Sequence, residues 1–190
     1  HIFILMLVPQ YMHTQITFRP PMIDYNTYVC QVIEIYKSGQ LHDVASCEFV
    51  GLSSSTYELR ARFKFIASEL NSSNTYTLYI LEVLVEYEKT FQEPQLAFRI
   101  WESGRDSSYS IQYELDAVRS FLPPWFVLNI DIVKEEPWYI VGVCDTPAVI
   151  GGSLDNECYL HRWIAVYLLN WIKSLPCQQE GSDSSSIHKN

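Results

Sequence analysis

From Tyr57 to Ile66, "YELRARFKFI", apolar and polar side chains alternate: Tyr57, Leu59, Ala61, Phe63 and Phe65 fall on one face, and Glu58, Arg60, Arg62 and Lys64 on the other. A period of two belongs to a strand with one covered face, so the segment is predicted as a half-exposed antiparallel strand. β-Branched and aromatic residues crowd Thr27–Tyr36, "TYVCQVIEIY", and Thr77–Tyr87, "TLYILEVLVEY", which are predicted as strands on that ground. Pro94–Trp101 makes a fourth, entered through the turn "KTFQEP", and Pro137–Val143 a short fifth that leads into Cys144. The stretches "KSGQLHDVASCEFVGLSSS" and "SELNSSN" carry the Gly, Ser and Asn of hairpin connections.

The helical period comes late. Ser110–Phe121 reads as a short helix before the break at Pro123 and Pro124. Over Leu154–Leu175 the spacing of Leu160, Trp163, Ile164, Tyr167, Leu168, Trp171, Ile172 and Leu175 predicts a long helix with one buried stripe. Ser153 suits its start, Asp155 and Glu157 its positive end, and Lys173 with Pro176 its stop. The expected class is α+β: an antiparallel meander sheet of about four strands with a long C-terminal helix packed on it.

The bulk numbers fit a globular chain of one domain: 190 residues, 48% hydrophobic and 18% charged. A net charge of −9 repels phosphate backbones and argues against general nucleic-acid binding. Five cysteines, at 30, 47, 144, 158 and 177, form no C-x-x-C and no metal-finger spacing, which points to a reducing, cytoplasmic setting. The apolar run Ile2–Val8 falls short of the about 20 residues that span a bilayer, and no basic segment marks it as a secretory leader. Residues 1–15 are set aside as an uncertain N-terminal segment, 16–176 as the domain, and the serine-rich 177–190 as a disordered polar tail.

"YIVGVCDTPAVIGG" places one thiol, Cys144, where the fifth strand stops and before the long helix begins. A cysteine at a strand end is ordinarily a packing residue. Loop N–H groups and a nearby helix start favour a thiolate instead. Protease-like Cys–His chemistry is poorly supported, because His161 is expected on the solvated side of the following helix. Cys30, Cys158 and Cys177 carry only the packing reading. Arg60, Arg62 and Lys64 are read as a solvated face rather than a binding one.

Three stretches, "EYEKTFQEPQLAFRIWE", "EPWYIVGVCDTPAVIGG" and "YLHRWIAVYLLNWI", taken in this order and spacing, resemble the fungal autophagy-related protein 10 family. That family is the ubiquitin-conjugating-enzyme-like member of the autophagy conjugation pathway, and the resemblance spans roughly residues 77 to 175. It implies a ubiquitin-conjugating-enzyme-like fold and a transferase in which Cys144 accepts autophagy-related protein 12 as a thioester. The activating enzyme would be autophagy-related protein 7, and the acceptor a lysine of autophagy-related protein 5. Tyr87 matches a strand tyrosine that the family places beside the cysteine. Asn129 or Asp131, in the "LNIDI" segment before Trp138, is a candidate for a second polar group near the oxyanion.

Two departures stand out. Gly142 and Val143 replace the family's His-Pro before the cysteine. The family also opens with a helix, which in ordinary conjugating enzymes helps dock the activating enzyme and for which "HIFILMLVPQYMHTQ" offers no pattern. The implied chemistry needs no metal, nucleotide or other cofactor on this chain, and no P-loop or G-x-G-x-x-G is present. No transmembrane segment is expected; the implied location is the cytoplasm, with recruitment to the site of autophagosome formation. A lipid-conjugating relative like autophagy-related protein 3 would carry a long acidic insertion that is not seen. A non-catalytic scaffold of the same fold is the remaining alternative, supported by Gly142-Val143 and opposed by the retained Cys144, Asp145 and Thr146.

Overall fold

A computed structural model describes residues 23–68, 76–104, 108–112, 115–133, 135–142 and 158–176. The described chain opens with a helix, α1 (Tyr25–Ser38), where a strand was expected over Thr27–Tyr36 and no opening helix was foreseen. The period decides against the propensity here. Tyr28, Gln31, Val32 and Ile35 are buried, the i, i+3, i+4, i+7 set of a helix face. Both ends are capped: Asp24 accepts from the Thr27 N–H at 3.0 Å, and Gly39, at φ 73°, closes the last turn in a conformation that glycine adopts without strain.

The sheet follows. β1 (Cys47–Leu52), β2 (Leu59–Ser68), β3 (Tyr76–Glu88) and β4 (Glu93–Ser103) form an antiparallel meander. It has the expected four strands, but its first member is β1, which lies inside the stretch read as a connection. Edge position explains the miss: Phe49 is exposed and a bulge between Cys47 and Phe49 breaks the alternation. The outer edge of β4 is shared. β7 (Glu136–Gly142) pairs with Leu96–Phe98, and β5 (Tyr109–Ile111) with Trp101–Ser103. β6 (Val127–Val133) pairs with β7 and completes the order β1-β2-β3-β4-β7-β6. The predicted helix Ser110–Phe121 therefore divides into strand β5 and a shorter helix, α2 (Leu115–Ser120).

The C-terminal helix α3 runs through α-helical Tyr159–Ile164, a π-helical turn Ala165–Leu169 and α-helical Asn170–Ser174. Every residue of its predicted apolar stripe, Leu160 to Leu175, is buried. Its predicted beginning, 153–157, lies outside the described residues. α1 and α3 cover one face of the sheet over Phe63, Leu81, Val83, Val85, Leu96, Phe98 and Val141. The opposite face holds a smaller cluster of Leu84, Ala97, Trp138 and Ile140.

Candidate active site

β7 is the strand that delivers Cys144. Trp138, Tyr139, Ile140 and Val141 are buried in succession, as befits a strand covered on both faces. Gly142, its last residue, pairs with Val127. An added Cβ at Gly142 would meet the Val127 carbonyl at 3.4 Å and the Val127 Cβ at 3.5 Å, which is ordinary contact. A close backbone approach therefore does not require this glycine. Cys144, with Val143, Asp145 and Thr146, lies outside the described residues.

Tyr87 stands at the same end of the sheet, opposite Pro94 where β3 turns into β4. Its ring contacts Tyr25 and Tyr28, both with centroids at 5.3 Å, and its hydroxyl donates to the Ile23 carbonyl at 2.9 Å. Burial, then the charges of Asp24 and Glu88, raise its pKa above the usual tyrosine value, so it stays a neutral donor. Tyr28 is bound in turn: its hydroxyl lies 3.2 Å from the carbonyls of both Tyr57 and Val85, and burial, then Glu86 and Glu58, push its pKa up.

Asn129 does not join Tyr87. Through the paired positions Tyr87–Pro94, Leu96–Val141 and Val141–Leu128, Tyr87 shares the helix-covered face with Leu128. Asn129, opposite Ile140, is exposed on the other face of edge strand β6. Asp131 shares that face opposite Trp138, and its Oδ1 accepts from the Ile132 N–H.

The same outer face, where Arg60, Arg62 and Lys64 are expected to be solvated, carries a charge network centred on Glu82. Glu82, 2% exposed, accepts from Arg62 Nη2 at 3.0 Å, Arg99 Nη2 at 2.8 Å and Trp101 Nε1 at 2.9 Å. Arg99 also donates to Glu136 at 2.6 Å and lies 4.0 Å from the centre of the Trp138 ring. Burial alone would raise the Glu82 pKa; the bonds from Trp101, Arg99 and Arg62 outweigh it and leave the carboxyl below its ordinary value. Lys64 pairs with Glu48, while Arg60 lies over Trp138 at 5.7 Å. Arg62 and Lys64 are thus ion-paired rather than simply solvated.

The remaining candidates also shift. Cys30 is exposed on a helix and Cys158 exposed at the start of α3, so neither packs in the core; Cys177 lies outside the described residues. His161 is half-buried, with Nδ1 shielded and unbonded among the described residues, rather than solvated. Among those residues no group of three or more His, Cys, Asp or Glu could hold a metal ion, and no helix is long and apolar enough to cross a membrane. Gln31, a buried amide on α1, was not foreseen. Its partner stands 129 residues away, and no local signal marks it.

No protein-family profile matches the chain. The ubiquitin-like-conjugating enzyme ATG10 of Saccharomyces cerevisiae is 26% identical over 162 residues, 80% of this chain and 97% of that protein. The enzyme of the same name from Eremothecium gossypii is 33% identical over 97 residues, 45% of this chain and 56% of the relative. The crystal structure of the autophagic E2 Atg10 superposes with a TM-score of 0.63 at 24% identity, over 80% of this chain and 97% of that one. The helix-covered antiparallel sheet is therefore the fold of an autophagic E2, and in sequence the chain is a relative of the fungal ubiquitin-like-conjugating enzymes ATG10.

Proposed function

We propose that this chain is a ubiquitin-like-protein conjugating enzyme of autophagy that carries its modifier as a thioester on Cys144. The observation that carries this reading is the exit of β7. The strand ends at Gly142, at the Tyr87 end of the sheet, and Cys144 follows two residues on, so its Cα can stand no more than about 7 Å from that end. Similarity along nearly the whole yeast relative supports it.

Two acyl transfers make up the reaction. The Cys144 thiolate attacks the thioester carbonyl that joins autophagy-related protein 7 to the C-terminal glycine of autophagy-related protein 12. A new C–S bond forms and the thiolate of the activating enzyme leaves. This exchange is nearly balanced and needs an accessible thiolate and correct placement. A lysine amine of autophagy-related protein 5 then attacks the new thioester, loses a proton, and expels the Cys144 thiolate as the isopeptide bond forms. That second step profits from a donor at the developing oxyanion. Tyr87 is the first candidate, once its hydroxyl exchanges the Ile23 carbonyl for the oxyanion. Asn129 is the second, approaching from the other face. The reaction is placed in the cytoplasm, at the site of autophagosome formation.

Mixing the full chain with the activating enzyme, ATP and modifier tests this. The expected product is a heavier band that reductant removes and that Cys144→Ala does not form. A labile adduct on Cys144→Ala, or none on the wild type, overturns the reading. The engaged hydroxyl of Tyr87 and the separate face of Asn129 favour, as a second reading, a scaffold that binds the same partners without transfer; failure to load would leave it standing.

A further inference from the structure

β6 closes one end of the sheet, and among the described residues no strand pairs with its free edge. Such an edge offers backbone donors and acceptors to any extended chain that meets it, and sheets commonly guard it with Lys, Pro or a very short strand. β6 has seven residues, "VLNIDIV", with neither Lys nor Pro, and its single charge is Asp131. The Ile132 N–H bonds to the Asp131 carboxylate at 2.7 Å, a contact within the strand itself. The side chains are uncovered as well: Val127 is 55% exposed, Ile130 63% and Ile132 65%. Ile130 and Ile132 lie on the helix-covered face, opposite Tyr139 and Pro137, so the helices stop short of this margin.

The order of residues along the strand says what fits it. Read outward from Ile130, the two halves match: Asn129 with Asp131, Leu128 with Ile132, Val127 with Val133. A second copy, laid antiparallel about a two-fold axis through Ile130, sets apolar residues against apolar ones throughout. It also sets each Asn129 amide, a donor, against the Asp131 carboxylate of the other copy, on the outer face. Centring the pair on Asp131 would oppose two like charges, and centring it on Asn129 would set each Asp131 against Val127. We propose that β6 is a self-association edge, through which two copies pair in the Ile130-centred register and join their sheets into one. The contact is isologous, so it closes at two copies. Seven paired residues cover far less than the roughly 1,200–2,000 Å² of a stable complex, which sets a dissociation constant on the order of tens of micromolar.

The test is sedimentation equilibrium of the full chain from about 5 to 500 µM, a range that brackets this constant. Reductant is present so that the exposed Cys30 and Cys158 do not join copies covalently. The mass is expected to rise from one chain towards two. Ile130→Lys puts two ammonium groups on the axis and should weaken association about tenfold or more, with an unchanged circular dichroism spectrum. Asn129→Lys faces the other copy's Asp131 with a cation and should tighten it about fivefold; Asn129→Asp faces carboxylate with carboxylate and should weaken it by as much. Ser54→Lys, exposed near the opposite edge of the sheet, makes the same charge change as Asn129→Lys and should leave association unchanged. A single-chain mass at every concentration overturns the proposal and leaves the edge to an extended segment of another protein. Wild-type association of Ile130→Lys overturns it too, as does an equal effect of Asn129→Lys and Ser54→Lys. If Ile130→Lys does not fold, the opposite shifts of the two Asn129 variants decide.

Discussion

Tyr87 donates its hydroxyl to the carbonyl of Ile23 at 2.9 Å, which ties the end of β3 to the residue just ahead of the cap of α1. The bond uses the only donor that a phenol has. Tyr87→Phe should therefore lower stability by about 1 kcal/mol, read by urea unfolding. If the hydroxyl also serves the oxyanion, discharge of preloaded protein to the acceptor falls more than loading does, and that is the expected outcome. Equal slowing of both steps would leave Tyr87 as a latch for the N-terminal helix and nothing more.

Cys144→Ser should trap the modifier as an oxygen ester, because the hydroxyl accepts an acyl group but gives it up poorly. Gel analysis with and without reductant reads this directly. A resistant adduct on the variant beside a labile one on the wild type is expected. A reductant-labile adduct on the serine variant would show that another cysteine carries the acyl group.

At Gly142 an added Cβ meets only ordinary contacts with Val127. Gly142→Ala should thus be neutral or gain up to about 1 kcal/mol, through the lost freedom of the unfolded chain. Restoring the family pair with Gly142→His and Val143→Pro is expected to speed discharge and leave loading nearly unchanged, with melting temperature measured on the same protein. Normal folding with no gain in discharge would remove this pair as the limit on transfer.

The Glu82 carboxylate predicts a pH dependence. Its pKa is held below the ordinary 4.5, so the folded state binds the proton more weakly than the unfolded one. The stabilisation is complete above about pH 4.5 and is lost as pH falls through the folded-state value. Glu82→Gln removes the buried one of the two carboxylates that pair with Arg99, leaving Glu136, and should cost about 2 kcal/mol at pH 7. The variant should then lose less stability than the wild type between pH 5 and 3, measured by denaturant unfolding at a series of pH values. Parallel acid losses in the two proteins would show that this carboxyl does not govern the acid limb.

What the sequence made legible follows from where each signal resides. β2 was readable because Leu59, Ala61, Phe63 and Phe65 face a core while Arg62 and Lys64 face outward, and α3 because its whole stripe is apolar. α1 was misread because Thr27, Val29, Val32, Ile33 and Ile35 have strand preferences, and one core position, Gln31, is polar. The caps at Asp24 and Gly39 were the available correction. β6 escaped because, as an edge strand, it leaves Val127, Ile130 and Ile132 exposed and buries almost nothing. At the site, Cys144 stood out through its local motif. The separate faces of Tyr87 and Asn129 depend on a register running through four strands, and the Gln31–Leu160 bond on the packing of the first described helix against the last. Neither has a local trace.

That packing of first helix on last also governs how the molecule can be made. A ribosome releases α1 before the strands that Tyr28 contacts and long before α3, so the side of α1 that meets Leu160 waits in contact with water or with a chaperone until α3 has emerged. The meander of β1 to β4 can form early from neighbouring segments, with α1 on part of its helix-facing surface, but the rest of that surface stays uncovered until α3 arrives. Closing so long a loop carries an entropic cost and places the slow step late in folding. Truncations that remove α3 should therefore yield a chain that collapses and aggregates during synthesis rather than a smaller stable unit.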